Sequence, residues 1–104
     1  MIDNVSFTLE GLDEYIYWQT QDKRTLAKIN KLIADIIRNG NTGIGHPEPL
    51  RHDLTGKWSR SIDDKNRLTY KIHDDGKALS LSQMPLAYIS TVTKTSSFAT
   101  LPLI

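Results

Sequence analysis

The stretch HPEPLRHDLTGKWSRSIDDKNRLTYKI, residues 46–72, decides the fold, because from Pro49 onward its hydrophobic pattern has the two-residue period of β-strands. In its last part Leu68, Tyr70 and Ile72 alternate with polar or charged residues, so one face of that strand is expected to be core and the other open to solvent or chemistry. We predict strands at about 49–54, 57–62, 67–73 and 78–83, joined by turn-forming sequences into an antiparallel meander.

The residues before this stretch predict a short strand and a first helix. In residues 4–8, Val5 and Phe7 alternate with polar neighbours, as in a half-buried strand. Thr8 is then placed to cap a helix. Within that helix, the helical spacing predicts that Leu12, Tyr15 and Ile16 face the core.

A second helix is the clearest element of the chain. Asp22 is its expected N-cap, and Asn39-Gly40 are residue types that end helices. Between them the apolar residues keep the 3.6-residue period, at Leu26, Ile29, Leu32, Ile33, Ile36 and Ile37. Because the helices precede the strands, we predict an α+β fold in which a short N-terminal strand is followed by two helices packed on one face of a twisted antiparallel sheet.

Length and composition indicate one small domain. The chain has 104 residues and no cysteine, which excludes a disulfide framework, a zinc ribbon and a thiol nucleophile. Residues 1–85 are assigned to the domain, and residues 86–104, rich in Ser and Thr without a clear period, to a divergent and loosely ordered C-terminal tail. No signal peptide and no apolar run of about 18 residues is present, so we expect a soluble, cytoplasmic protein without a membrane segment.

Charge is distributed unevenly along the chain. The net charge is only +1, yet residues 1–22 contain acidic residues and no Lys or Arg, so every basic residue lies at position 23 or beyond. Such an asymmetry creates a local positive field that attracts a polyanion. An ordinary solvated surface is the alternative explanation.

One carboxylate among these basic residues, that of Glu48, lies on a conformationally restricted stretch of backbone. Glu48 is flanked by Pro47 and Pro49, whose rings stiffen the backbone that carries it. The basic residues that follow, set beside Trp58 and Tyr70, are Arg51, His52, Lys57, Arg60, Lys65, Arg67 and Lys71. The combination suggests a site that binds RNA. The alternatives are that Glu48 is an ordinary exposed loop carboxylate and that Arg67 forms a surface ion pair with Asp63 or Asp64.

A metal site is not expected. His46, His52 and His73 do not have the spacing of a metal-ligand motif, and no cysteine is available to complete one. We therefore predict no metal and no other cofactor.

Two segments together resemble a known family. EYIYWQTQDKRTLAKINKLIADI and the later GIGHPEPLRHDLTGKWSRSIDDKNRLTYKI resemble the YoeB/Txe branch of the RelE/ParE toxin superfamily, over about residues 7–75. The resemblance implies a small α+β toxin of a type II toxin–antitoxin system that cleaves mRNA in the 30S A site of the ribosome without a metal. It further implies a homodimer as one assembly and inhibition by a cognate antitoxin, YefM/Axe-like.

The resemblance also implies roles for particular residues. Glu48 corresponds to the general base and Arg67 to the cation over the scissile phosphate, while the RNA-contacting surface would include or adjoin Arg51, His52, Lys57 and Arg60. Metal-free RNA cleavage needs a base for the 2′-hydroxyl, a cation for the phosphorane and an acid for the leaving oxygen. Glu48 and Arg67 supply the first two.

The sequence departs from the family pattern at two places. The WSRRI-like segment reads WSRSI, so Ser61 replaces an arginine, and no His follows His73 where family members end in a His-Tyr pair whose His is the expected general acid. One explanation is a frameshift, since the codons of Met84–Tyr88 read one base later can encode Cys-Arg-x-His, which sequencing of the gene tests. The alternatives to an active endoribonuclease are a catalytically impaired member that binds antitoxin or ribosome, and a gyrase-poisoning toxin of the same superfamily.

Overall fold

The computed structural model describes residues 1–85 and Ile89 and confirms the predicted α+β architecture. Two helices are combined with a five-stranded sheet. In chain order the elements are β1 (Asn4–Phe7), α1 (Leu9–Gln21), α2 (Lys23–Asn39), β2 (Glu48–Pro49), a 3-10 turn (His52–Leu54), β3 (Trp58–Ser61), β4 (Asn66–His73) and β5 (Ala78–Pro85). Within this part of the chain, no helix has both the length and the apolar character that crossing a membrane requires.

The sheet has the order β1-β5-β4-β3-β2 and is mixed rather than wholly antiparallel. Strands β2 to β5 form the predicted antiparallel meander, but β1 lies parallel to β5 at the edge. The predicted strand at 49–54 is wrong beyond Pro49. There the backbone amides of Leu54 and Thr55 donate to the carbonyls of Arg51 and His52, so the chain closes into a tight turn instead of pairing with a neighbour.

Both predicted helix caps are confirmed. The hydroxyl of Thr8 accepts a hydrogen bond from the amide of Gly11 at 2.9 Å. The carboxylate of Asp22 accepts from the amides of Arg24 and Thr25, at 3.0 and 3.2 Å. A further hydrogen bond from the Thr25 hydroxyl, together with these amides, lowers the pKa of Asp22.

The prediction that Leu12 and Ile16 face the core is wrong, because helix α1 is rotated from the expected orientation. These side chains are 39 % and 51 % exposed. The helix instead approaches β5 through Gly11, where an added Cβ would lie only 2.9 Å from the Leu81 carbonyl oxygen. Only glycine permits so close an approach, and it turns Tyr15 and Trp18 towards the sheet.

The core lies between the helices and one face of the sheet. Its buried members are Ile29, Leu32, Ile36, Ile62, Leu68, Tyr70, Leu79 and Leu81. The opposite side, here called the polar face, carries the alternate residues of the same strands, which are Glu48, Ser59, Ser61, Arg67, Thr69, Lys71, Ser80 and Ser82. The predicted alternation of β4 is therefore confirmed, and the candidate catalytic residues lie on its polar side.

Candidate functional site

Glu48 stands at the edge of the polar face, on the short strand β2. It lies opposite Ser59 of β3, which in turn lies opposite Thr69 of β4. The side chain of Glu48 is 64 % exposed, so a substrate can reach its carboxylate. The two flanking prolines limit the backbone freedom at this position, which lowers the entropy lost when the carboxylate is held in one orientation.

Arg67 of β4 points towards this carboxylate and is held on three sides. Its Nη2 lies 3.3 Å from a carboxylate oxygen of Glu48 and donates to the carbonyl oxygen of His46 at 3.0 Å. Its Nε donates to the hydroxyl of Ser59 at 2.8 Å, and Nη2 also reaches the Ser59 carbonyl oxygen. The side chain is 10 % exposed, so the guanidinium is fixed in position rather than free in solvent.

One edge of the Arg67 guanidinium keeps its hydrogen-bonding capacity. Arginine has five N–H donors, and two belong to Nη1. Among residues 1–85 and Ile89, every contact of the Arg67 guanidinium involves Nε or Nη2. Within that part of the chain Nη1 has no partner, and a phosphate oxygen is the kind of acceptor for which a planar guanidinium is well suited.

Arg60, which the resemblance placed in or near the RNA-contacting surface, is buried in the structure. Its residue exposure is 0 %, and it lies on the helix side of the sheet, across from Leu68. Its Nε donates to the Tyr70 hydroxyl, and its guanidinium carbon lies 5.7 Å from the centre of that ring. Because Arg60 is buried and its N–H donors are occupied by protein acceptors, it has no group left for an RNA contact.

The remaining donors of Arg60 hold the loop that precedes Glu48. Its Nη1 contacts the carboxylate of Asp35 and the carbonyl oxygen of Ile44, while Nη2 donates to the carbonyl oxygens of Gly40 and Thr42 at 2.6 and 2.9 Å. All five N–H donors of the guanidinium thus have acceptors. The hydrogen bond from Arg60, supported by the amide of Ile44, lowers the pKa of Asp35.

Glycine at position 43 is required for this arrangement. A Cβ there would lie 1.9 Å from Oδ2 of Asp35, the atom that pairs with Arg60, and the φ angle is +130°. Neither feature tolerates a side chain. The glycine-rich loop between α2 and β2 therefore wraps an arginine–carboxylate pair as well as connecting two elements.

The other predicted RNA-contacting residues surround the site at different depths. Arg51 and His52 are exposed in the turn after β2, and Lys57 is half-buried beside β3. Sequence reasoning missed Ser59, the side chain and carbonyl that fix Arg67. The signal was present in the alternation, since Ser59 and Arg67 occupy the same face of neighbouring strands.

The histidines are separated by the fold. His46 and His52 lie on the Glu48 side of the sheet, and the carbonyl oxygen of His46 contacts Arg67. His73 is six residues from Arg67 along β4, about 20 Å at about 3.4 Å per residue. In residues 1–85 and Ile89, no three His, Asp or Glu side chains form a cluster able to hold a metal ion.

The predicted C-terminal tail lies almost entirely outside the described residues, as do Tyr88 and the segment where a frameshift would act. Its one described member, Ile89, is buried and packs with Leu50 and Leu54. Leu50 is only two residues from Glu48. A residue beyond the last strand therefore reaches the surroundings of the candidate site.

Comparisons with known proteins place this fold in a class of small α+β toxins. Residues 7–84 match the family described as YoeB-like toxin of bacterial type II toxin-antitoxin system. A Toxin YoeB of Streptomyces coelicolor is 49 % identical over 71 residues, which are 68 % of this chain and 84 % of the relative. The chain therefore belongs to the YoeB-like family of type II toxins.

Solved structures show the same relationship. A YoeB/ParE toxin from Agrobacterium tumefaciens has a TM-score of 0.74 and 38 % identity, covering 77 % of this chain and 93 % of its own. A YoeB-YefM complex from Staphylococcus aureus has a TM-score of 0.71 and 38 % identity, with 76 % and 90 % covered. A YoeB dimer from the same species has also been solved, at 39 % identity and a TM-score of 0.70, with the same coverage.

Proposed function

We propose that this toxin is a ribosome-dependent mRNA endoribonuclease in which Glu48 and Arg67 are the catalytic residues. The observation that carries the proposal is their pairing, with Arg67 Nη2 3.3 Å from the exposed carboxylate of Glu48. A base and a cation at this separation contact neighbouring atoms of one RNA linkage, the 2′-hydroxyl and the adjacent phosphate.

The chemistry follows from what each group can do. Glu48 removes the proton of the 2′-hydroxyl, the oxygen attacks the adjacent phosphorus, and the bond to the 5′-oxygen breaks. One fragment then ends in a 2′,3′-cyclic phosphate, and the 5′-oxygen of the other takes a proton from water to become a 5′-hydroxyl. Arg67 donates through Nη1 to the phosphate oxygens that gain charge as the phosphorane forms. Because Ser59 and His46 already fix the guanidinium, little reorganisation accompanies this step.

The surroundings of the pair extend the proposed RNA surface. Arg51, His52 and Lys57 lie in the turn and strand that follow Glu48, and they supply positive or hydrogen-bonding groups for the backbone of the message. Arg60 is left out of this surface, since its five donors are occupied by the protein.

Partners follow from the relatives rather than from this chain alone. The Staphylococcus aureus toxin has been solved with YefM and as a dimer, so we propose a YefM-like antitoxin and a homodimer for this chain as well. The proposed site of action is the 30S A site, which makes the protein cytoplasmic. The stripe of exposed apolar residues on α1, namely Leu9, Leu12 and Ile16, is available for such protein contacts.

A catalytically impaired family member is the second candidate, and a specific observation favours it. No histidine follows His73 in the sequence, and His73 lies about 20 Å along β4 from Arg67, too far to protonate the leaving oxygen. Without an acid the rate would be lower by about 10² to 10⁴. In this candidate the chain keeps its antitoxin and ribosome contacts without cutting mRNA.

Primer extension on mRNA during translation separates the two. The wild-type chain is expected to produce cuts within codons at the A site, and Glu48→Gln, which is isosteric, is expected to abolish them. A wild-type chain that binds the antitoxin but produces no cuts, while a chain ending in His-Tyr after β5 does, overturns the active enzyme in favour of the impaired member. Equal cutting by wild type and Glu48→Gln removes Glu48 from the mechanism.

A further inference from the structure

A second feature of the polar face takes no part in the proposed bond cleavage, although one of its residues, Lys57, also belongs to the proposed RNA surface. A depression of about 100 Å³ lies on this face, and its lining includes Lys57, Thr69, Lys71, Ser80 and Ser82. Together with Thr8, Tyr70 and Leu81, these residues border the depression with two lysines and four Ser or Thr side chains.

The two lysines face each other across neighbouring strands. The register of β3 and β4 ends with Trp58 opposite Tyr70; extended by one residue, it places Lys57, which immediately precedes β3, opposite Lys71. Like charges directly opposite one another are destabilising. Both strands are internal to the sheet, so protection of an exposed edge does not explain these charges.

Neither lysine is neutralised by the described part of the protein. Among residues 1–85 and Ile89, the acidic side chains that form ion pairs contact Arg60, Arg67 or His73. The ammonium of Lys71 extends towards the turn before β3, where it would lie 4.0 Å from a Cβ added at Gly56. An anion placed between Lys57 and Lys71 would relieve their repulsion.

The floor of the depression supplies an independent sign of a missing ligand. Thr69 is 1 % exposed, and its hydroxyl has no hydrogen-bond partner in the described structure. Buried hydroxyls are ordinarily satisfied, and rotation about χ1 directs this one to a group in the depression. The neighbouring hydroxyls of Ser80 and Ser82 lie in contact with His73 and Thr8, so the unsatisfied group is the one at the centre of the sheet.

From these observations we infer that the Lys57–Lys71 depression binds a backbone phosphate of the RNA, one to a few nucleotides from the bond that is cut. The inference rests on the proposed function. Along β4, Thr69 and Lys71 lie about 7 and 14 Å from Arg67, a span that a stacked strand crosses in about two to four nucleotides at about 3.4 Å each. The depression thus sets the number of nucleotides beyond the scissile linkage that the toxin contacts.

The test is a titration of RNA into the full-length chain carrying Glu48→Gln, so that binding is read without cleavage. A six-nucleotide RNA is expected to bind on the order of tenfold more weakly to Lys57→Gln/Lys71→Gln. The slope of log affinity against log salt is expected to fall by about 0.7 for each phosphate that the protein no longer neutralises. A dinucleotide, too short to reach the depression, is expected to bind both proteins equally.

The matched control is Lys28→Gln/Lys31→Gln, which removes the same charge from the exposed side of α2. Equal losses of affinity in the two double variants would mean that only net charge matters, and this would overturn the inference. Tight binding of inorganic phosphate at the depression, with RNA affinity unchanged by the lysine substitutions, would also overturn the inference, because the ligand of the depression would then be a free anion and not RNA.

Thr69→Val tests the depression without changing the charge of the protein. Valine has the shape of threonine without the unsatisfied hydroxyl, so the variant is expected to melt at a higher temperature and to bind the six-nucleotide RNA more weakly. An unchanged affinity would contradict the role given to the floor. If the wild-type chain does not cut mRNA but the RNA titrations give the expected results, the proposed cleavage activity is overturned and the RNA site in the depression is kept. If the wild-type chain cuts mRNA but the titrations do not give the expected results, the depression is excluded as an RNA site and the proposed activity is kept.

Discussion

Arg60 and Arg67 lie on neighbouring strands of one hairpin, yet they have opposite surroundings. Arg60 points to the helices, where its five donors are taken by Asp35, Tyr70 and three loop carbonyls. Arg67 points to the polar face, where Nη1 is left without a partner among the described residues. The difference teaches that the side of the strand, and not the residue type, decides whether an arginine has all its donors occupied by the fold or keeps one without a partner among the described residues.

The loop before Glu48 connects the two sides of the sheet. Arg60 and Asp35 hold this loop as far as Ile44, and two residues later the carbonyl oxygen of His46 accepts a hydrogen bond from Arg67. The amide of Ser61 anchors the same loop through the carbonyl of Gly45 at 2.7 Å. Arg60 therefore acts on the candidate site only through this loop, and we expect its substitution to change mainly the stability of the fold.

The largest expected effect comes from Arg60→Met. It leaves Asp35 without its cation and three loop carbonyls without their donor, so we expect the free energy of unfolding to fall by about 3 kcal/mol or more. Urea unfolding followed by circular dichroism measures the change. Arg24→Met, on the exposed start of α2, is the control and is expected to stay within about 0.5 kcal/mol of wild type. Equal stability of the two variants would contradict the structural role of Arg60.

Arg67→Met is expected to act mainly on the reaction. Removal of a fixed donor to a phosphorane lowers the rate by about 10² to 10³, which single-turnover cleavage of ribosome-bound mRNA measures. The unfolding midpoint of the same sample shows how much of the protein is folded. A rate loss that vanishes when it is corrected for the folded fraction would make Arg67 a structural residue like Arg60.

A smaller effect is expected for pH at Asp35. Because folding lowers the pKa of this carboxyl, its ionised form adds stability that is complete above the unfolded pKa of about 3.9 and is lost as pH falls through the lower folded value. Wild type should therefore be more stable than Asp35→Asn at pH 6, and the gap should close on acidification below about pH 4. Urea unfolding across this range tests it, and a gap independent of pH would contradict the pairing.

The smallest expected effect is that of Ser61→Arg, which adds a cation directly opposite Arg67 on the polar face. RNA affinity is expected to rise and the salt slope to steepen by about 0.7, because one more phosphate is neutralised. Ser61→Gln, of similar polarity without charge, is the control. An unchanged salt slope in the arginine variant would show that RNA does not pass this position.

Local patterns predicted much of the fold. The caps at Thr8 and Asp22, the second helix and the alternation of β4 all follow from periods and residue types that act over a few residues. The orientation of α1 does not, because it depends on Gly11 meeting β5, a contact between positions 70 residues apart in sequence. The parallel pairing of β1 with β5 is similarly non-local.

For the candidate site, alternation was a better guide than resemblance at Arg60. Because side chains alternate along a strand, Arg60 of β3 lies on the same side as Trp58 and Ile62, which is the buried side, whereas the resemblance placed it in or near the RNA-contacting surface. The Asp35 partner was beyond reach of the sequence, because nothing local links α2 to β3. The pairing of Glu48 with Arg67 was reachable only through the family resemblance.

The division of roles between the two arginines is tested most directly by a paired measurement on Arg60→Lys and Arg67→Lys, with melting temperature and single-turnover cleavage recorded for each. Lysine keeps the charge but not the planar set of donors. We expect Arg60→Lys to melt lower, by about 4 to 8 °C for each kcal/mol lost, and to keep the wild-type rate per folded molecule. We expect Arg67→Lys, which loses fewer hydrogen bonds to the protein, to melt between wild type and Arg60→Lys and to lose most of its rate per folded molecule. The reverse pattern would contradict the division between the two arginines.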